Sequence, residues 1–134
     1  MKKDILFPNV EGVKVAIAKE VNEFNETIWN TYLINSLSKN LTGVMVSARG
    51  YGELNGEVVK TATVRYFIGE LAEQSQRLIE PIDAGIFRIN NEYWVSYFID
   101  GQLFDKKFIF VPDSIATENL IYIDVLKRDG ILHE

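Results

Sequence analysis

The chain has 134 residues, no cysteine and a formal net charge of −5. That is the length of one domain, enough to bury about two-thirds of its unfolded surface and fold without staples. The missing cysteines exclude disulfides and thiolate metal sites, and an acidic balance without a basic block argues against nucleic-acid binding, which leans on Lys and Arg meeting phosphates.

Residues 1–12 read as an irregular lead-in broken by Pro8 and Gly12. Between Lys3 and Pro8 the only apolar residues are Ile5, Leu6 and Phe7, too few for a signal-peptide core, and no apolar run reaches membrane-spanning length. The expected address is the cytoplasm, with no membrane contact, and the sequons at Asn25 and Asn40 are then chance matches. Residues 13–19 alternate as a first strand, with Val13, Val15 and Ile17 on one face. After the polar stretch EVNEFNE, residues 27–36 are rich in β-branched and aromatic side chains and predict a second strand. Residues 41–49 predict a third, with Val44, Val46 and Ala48 facing inward.

The glycine-rich run GYGELNG reads as a connection into a fourth strand over 57–68. A helix over 65–78 competes there, because RYFIGELAEQSQRL contains good helix formers, but Gly69 sits inside it and Ser75 opens a turn. The extended alternative ends the fourth strand near Ile68 and starts a fifth at 76–82, where Pro81 marks an edge or a strand end. Residues 83–91 form a loop whose Ile86, Phe87 and Ile89 tuck under the sandwich.

Residues 92–111 hold the densest apolar segment, folded on Asp100-Gly101. Asp-Gly between apolar residues is a strong two-residue hairpin signal, because both turn positions need φ > 0. The register then sets Ile99 against Gln102, Tyr97 against Phe104, Val95 against Lys106 and Tyr93 against Phe108. Alternation puts Tyr93, Val95, Tyr97, Ile99, Phe104, Phe108 and Phe110 on the less charged face, toward the core. Trp94, Ser96, Phe98, Leu103, Asp105, Lys107 and Ile109 face outward, and Trp94, Phe98 and Ile109 are more than a solvated face requires.

Residues 113–134 form an apolar C-terminal extension packing on the domain or on a partner. Ile121, Ile123 and Val125 alternate as a strand does, whereas Leu120, Ile123 and Leu126 recur nearer a helical period; the abundance of Ile and Val favours the extended form. Short strands between regular turn signals predict an all-β fold, a single antiparallel sandwich of about seven strands over residues 13–112.

Two resemblances sharpen this. The pattern Tyr93-x-Val95-x-Tyr97 before Asp100-Gly101 resembles the penultimate strand of the immunoglobulin-like and fibronectin type III sandwich, and YLINSLSKNLTGVMVSARGYG with GELAEQSQRLIEPI resembles bacterial Ig-like modules. The likeness covers residues 13–111 and implies an inward tyrosine at the start of that strand, bonded back to the preceding corner. The run NNEYWVSYFIDGQLFDKKFIFVPDSI is similar to short bacterial chains labelled phenylalanyl-tRNA synthetase alpha subunit. A synthetase alpha subunit needs a large antiparallel sheet with ATP-clamping arginines, which 134 residues cannot hold. This second resemblance therefore implies no aminoacylation activity and leaves an ancillary role beside a synthetase open.

No catalytic set emerges. Glu20, Glu23 and Glu26 lack the spacing of a calcium loop, and the scattered carboxylates form no acid–base pair. His133, the only histidine, lies where precise orientation is hard to achieve, and GYGELNG lacks the Lys-Ser/Thr of a phosphate loop. The expectation is a non-enzymatic module without a metal or cofactor, acting on a protein partner or on a second copy. Its candidate surface is Trp94, Phe98, Ile109, Ile121, Ile123 and Val125. An aromatic platform drawn from Trp29, Tyr32, Tyr51, Tyr66, Trp94 and Phe98, holding a carbohydrate or another small ligand, is the alternative.

Overall fold

Two dipeptides fix tight hairpins in the molecule. Asn55-Gly56 and Asp100-Gly101 each place both residues at positive φ (54° and 82°; 50° and 81°), the two-residue turn whose twist matches that of the flanking strands. The computed structural model describes residues 11–134, so the lead-in expected over 1–12 falls largely outside them. Ten strands follow in chain order: β1 (Val13–Val21), β2 (Thr27–Asn35), β3 (Leu41–Leu54), β4 (Glu57–Lys60), β5 (Val64–Leu71), β6 (Ser75–Pro81), β7 (Asn90–Ile99), β8 (Gln102–Phe110), β9 (Ile121–Ile123) and β10 (Arg128–His133). Among the described residues only two short 3₁₀ turns accompany them, and no helix is long and apolar enough to cross a membrane.

The strands make two antiparallel sheets. The first has the order β6-β2-β1-β10-β9; the second has β3 at its centre, with β7 and then β8 on one side and β4 and β5 along the other. The expected register of the β7–β8 hairpin is the one observed. Three local features depart from the expectation, and the last two raise the strand count above the expected seven. First, GYGELNG is not a connection: β3 runs on to Leu54, and the turn is Asn55-Gly56 alone. Second, the strand expected over 57–68 is interrupted. β4 pairs with residues 51–54 of β3 and β5 with residues 41–48, and Thr61 holds the break by exchanging hydrogen bonds with Gly50. Third, residues 113–134 supply β9 and β10, and β10 lies between β1 and β9 as a member of the first sheet. The competing helix over 65–78 is instead β5, a turn with Gln74 at φ 53°, and β6. Pro81 ends β6, which is an edge strand, where a missing N–H does no harm.

Val13, Val15, Ile17 and Leu33 of the first sheet meet Val44, Val46, Tyr93, Val95, Tyr97 and Phe108 of the second in one core, which Phe87 and Ile115 close from the loops. β1 is buried on its other face too. Ala16 and Ala18 are small enough for the β9–β10 connection to fold over them, bringing Ile123 and Leu126 onto Ile34. Ile123 is therefore only 5% exposed, and its expected place on an interaction surface is corrected: it anchors this second, smaller cluster.

One polar knot joins the sheets. Glu80 of β6 accepts the Tyr66 hydroxyl at 2.5 Å on one carboxylate oxygen and the Tyr93 hydroxyl at 2.8 Å on the other. With the Tyr93 proton so used, the buried Thr31 hydroxyl of β2 donates to Tyr93 at 2.9 Å. Burial first, and the Glu80 bond second, pushes the Tyr66 phenol up to about 12; burial and the Glu80 charge raise Tyr93 further.

Tyr93→Phe leaves Thr31 and Glu80 short of a partner and is expected to cost about 1–3 kcal/mol by denaturant titration. An unfolded tyrosine ionises near 10, so the folded phenols hold their protons where unfolded ones release them. Stability from this source is full below pH 10 and is lost as pH rises from about 10 through 12; Tyr66→Phe should flatten that part of the stability–pH curve. At Gly130 a Cβ would sit 2.7 Å from the Ile17 carbonyl oxygen and 3.0 Å from the Ala18 Cα, so Gly130→Ala must push β10 off β1. A loss of about 1–3 kcal/mol is expected, and wild-type stability would show that β10 is not seated this closely.

Candidate functional site: the outer face of the second sheet

Alternation along β3, β5, β7 and β8 sends every second side chain away from the core, and the strand register stacks these into transverse rows. One row reads Arg65, Ser47, Trp94, Lys107. The next reads Phe67, Met45, Ser96, Asp105, and on the other side of the Trp94 row Arg49, Glu92 and Ile109 are aligned. Toward the Asp100-Gly101 turn, Phe98 pairs with Leu103. Met45 (43%), Phe67 (74%), Trp94 (44%), Phe98 (40%) and Leu103 (54%) remain exposed, five large apolar side chains on one sheet face. Gly43, at φ 57°, makes room for one of them: a Cβ there would lie 3.0 Å from the Phe98 ring. A shallow groove of about 500 Å³ runs past Trp94, lined among others by Ser47, Arg65, Ser96, Leu103 and Asp105.

The charges on this face are unevenly engaged. Glu92, almost wholly buried, takes the Arg49 guanidinium at 3.1 Å and the Tyr51 hydroxyl at 3.1 Å. Burial, then the Glu92 bond, raises the Tyr51 phenol, and the same carboxylate raises Arg49. The Lys107 ammonium lies 4.6 Å from the centre of the Trp94 ring, a cation–π contact. Arg65 forms no ion pair among the described residues.

The residues expected to share one surface are divided by the fold. Trp94, Phe98 and Ile109 lie on this face, with Ile109 half-buried beside Glu92. Ile121 and Val125 are exposed, but they belong to the β9 margin of the first sheet, and Ile123 is inside. Of the wider aromatic set, Trp29 packs edge-on against Phe87 at 5.2 Å, and Tyr32 donates to Glu20 at 2.5 Å on the outer side of the first sheet. Tyr51 and Tyr66 are held by Glu92 and Glu80. Met45, Phe67 and Arg65 were not marked in the sequence as surface residues. The signal for Met45 was present, since Val44, Val46 and Ala48 face in and Met45 must face out. Phe67 and Arg65 were obscured because VRYFI is apolar on both faces.

Elsewhere four carboxylates, Glu80, Asp83, Glu20 and Glu26, have structural tasks. A cleft of about 290 Å³ between β3 and the end of β6 contains Glu80 and Asp83. Both Glu80 oxygens accept phenols, and Asp83 accepts the Gly85 N–H at 2.8 Å as the cap of a 3₁₀ turn. Glu20 is engaged by Tyr32 and Arg128, and Glu26 by Asn22; no group of three His, Cys, Asp or Glu gathers for a metal among the described residues. His133 packs edge-on against Phe108 and Phe110 at 5.4 and 5.6 Å; burial, then the nearby Lys106 charge, lowers its pKa.

Arg49→Met keeps the stem over Tyr51 but leaves Glu92 buried without its cation. A loss of about 1–3 kcal/mol is expected, relieved in the double variant with Glu92→Gln; equal losses in the single and double variants would deny the coupling. Comparison of the chain with protein-family models, with curated protein sequences and with solved structures gives no match.

Proposed function

We propose that the chain is an Ig-like, fibronectin type III-like sandwich that works as a non-enzymatic protein–protein interaction or assembly module through the outer face of its second sheet. The observation that carries the proposal is the set of five exposed apolar side chains around Trp94 on one sheet face. Scattered surface apolar residues are ordinary, whereas a contiguous set rimmed by charge marks an interaction site. Strand order supports the fold half of the reading. β1, β2 and β6 neighbour one another as the A, B and E strands of the Ig fold do, and β3, β7 and β8 as C, F and G do. Tyr93, the inward tyrosine at the start of β7, departs from the pattern by bonding the side chains of Thr31 and Glu80. The non-enzymatic half rests on the engaged state of Glu80, Asp83 and Glu92.

Trp94→Ser combined with Leu103→Ser tests the proposal. As surface changes they should alter stability by no more than about 0.5 kcal/mol, yet abolish partner capture from a lysate of the source cells and any concentration-dependent mass in light scattering. A captured set and mass identical to wild type would refute the reading. The groove beside Trp94, with Ser47, Ser96 and Asp105 on its walls, supports carbohydrate binding as a second reading. Retardation of the protein in polysaccharide-containing native gels, lost with Trp94→Ser, is its expected signature.

A further inference from the structure

We propose that the cleft between β3 and the end of β6 is a binding site for an organic ammonium group on a short apolar stem, whether of a free amine or of a lysine side chain.

The cleft exists because the sandwich does not close at this end. β4 and β5 both pair with β3 but part at residues 61–63, which opens the side of the second sheet. On the inward side of β3 the register sets Ala48 against Tyr93 and Gly50 against Asn91. Ala48 and Gly50 carry little or no side chain, so the floor is low where larger residues fill the core elsewhere. Glu80, Ile82 and Asp83 face this floor from the end of β6, and the space between measures about 290 Å³. That is the lower end of the range for small-molecule sites, with room for about ten water-sized groups.

Asn91 distinguishes the cleft from a gap in packing. The residue is only 3% exposed. Its Nδ2 donates to the carbonyl oxygens of Ile86 at 2.8 Å and Ile89 at 3.1 Å, which fixes the orientation of the amide. Oδ1 accepts no hydrogen bond from the described residues, and it is not sealed from solvent, so it opens onto the cleft that Asn91 lines. A nearly buried acceptor without a bond is costly, and a donor held in the cleft removes that cost.

The class of ligand follows from the polar groups around this acceptor. Glu80 reaches from β6 to Tyr93 of β7, so its carboxylate spans the space between the sheets. Each of its oxygens accepts one phenol, and a carboxylate has about four acceptor positions, so about two remain. Asp83 uses one oxygen on the Gly85 N–H and keeps the other. The hydroxyls of Tyr93 and Thr61 already donate, to Glu80 and to the Ala62 carbonyl. Arg49, the one cation among the lining residues, is bound by Glu92 on the outer face, where Lys60 and Arg65 also lie, paired with Tyr51 and Ser47. Arg49 and Glu92 cancel, so Glu80 and Asp83 leave the cleft negative. An ammonium has three donors and no acceptor, which matches the acceptors on Glu80, Asp83 and Asn91. An anion would meet two like charges. The walls contributed by Ala48, Val64, Ile82 and Ile86 suit an apolar stem better than a bare metal ion.

The test is isothermal titration calorimetry of the full chain with phenethylammonium, 2-phenylethanol, phenylacetate and calcium chloride. Phenethylammonium should bind with a Kd on the order of 1 mM or tighter. The alcohol should bind at least about tenfold more weakly, and phenylacetate not at all. Asp83→Asn retains the cap, because an amide oxygen also accepts the Gly85 N–H, and should weaken the amine about fivefold. Asn91→Ala should abolish binding, but it also frees the Ile86 and Ile89 carbonyls. Ala62→Trp, at an exposed position on the mouth, should abolish binding with the melting temperature unchanged. N-acetyl-lysine methylamide is the second ammonium probe: if it binds more tightly than phenethylammonium, the group belongs to a lysine side chain, and if more weakly, to a free amine. Equal binding of amine and alcohol, preference for calcium, wild-type binding by Ala62→Trp, or no binding of either ammonium by the wild-type chain overturns the inference. Trp94 points away from the cleft on β7, so Trp94→Ser should bind the amine as wild type does, and the outer-face reading stands or falls separately.

Discussion

A tyrosine hydroxyl inside a sandwich must find a hydrogen bond, and the rest of the structure accommodates that need at Tyr93. Its ring is in the core, packed edge-on with Phe110 at 6.2 Å, so the hydroxyl has no water to turn to. It finds Thr31 in β2 and Glu80 in β6, both in the opposite sheet, and Glu80 in turn draws in Tyr66 from β5. An unpaired buried polar group costs more than a bond between solvated partners gains. The knot therefore contributes mainly specificity: it ties the two sheets at one lateral position, where groups from β2, β5, β6 and β7 meet. The outward rows of the second sheet inherit their position from that inner constraint, because side chains alternate along the same strands.

Much of this was legible in the chain. The Asp100-Gly101 hairpin could be read to the residue, because turn chemistry and alternation agree there, and it placed Trp94 and Phe98 outside and Tyr93 inside. What could not be read was long-range pairing. Nothing in EVVKTATVRYFI announces that it splits around Thr61, because the split answers to β3, whose Gly50 bonds Thr61 from eleven residues away in sequence. The same holds for residues 121–133. Ile121, Ile123 and Val125 alternate, yet only the presence of Ala16 and Ala18 decides that Ile123 turns inward while its neighbours stay out. Small residues on a strand read as weak signals, although here they are the space into which another segment fits.

The working face illustrates how a sheet separates two tasks along one strand. In β7, Tyr93, Val95 and Tyr97 build the core, while Trp94 and Phe98 stand on the opposite side and touch none of it. A change at Trp94 can therefore alter recognition with little effect on folding. Glu92 is the point where the separation is incomplete: it lies on the outward side but is buried under Arg49 and Tyr51.

The pairing of β10 with β1 has a kinetic consequence. Val15 meets His133, and Ala18 meets Gly130, across nearly the whole described sequence. Closing so long a loop must precede any reward from the contact, and topologies rich in such pairings fold slowly. During synthesis β1 and β2 can form their hairpin early, but the edge of β1 and the alanine face beside it stay uncovered until the β9–β10 segment has emerged. An open strand edge is a template for pairing with another chain. For this interval the nascent protein is an open sheet, and the speed with which its distal segment docks sets how long it stays exposed to misassembly.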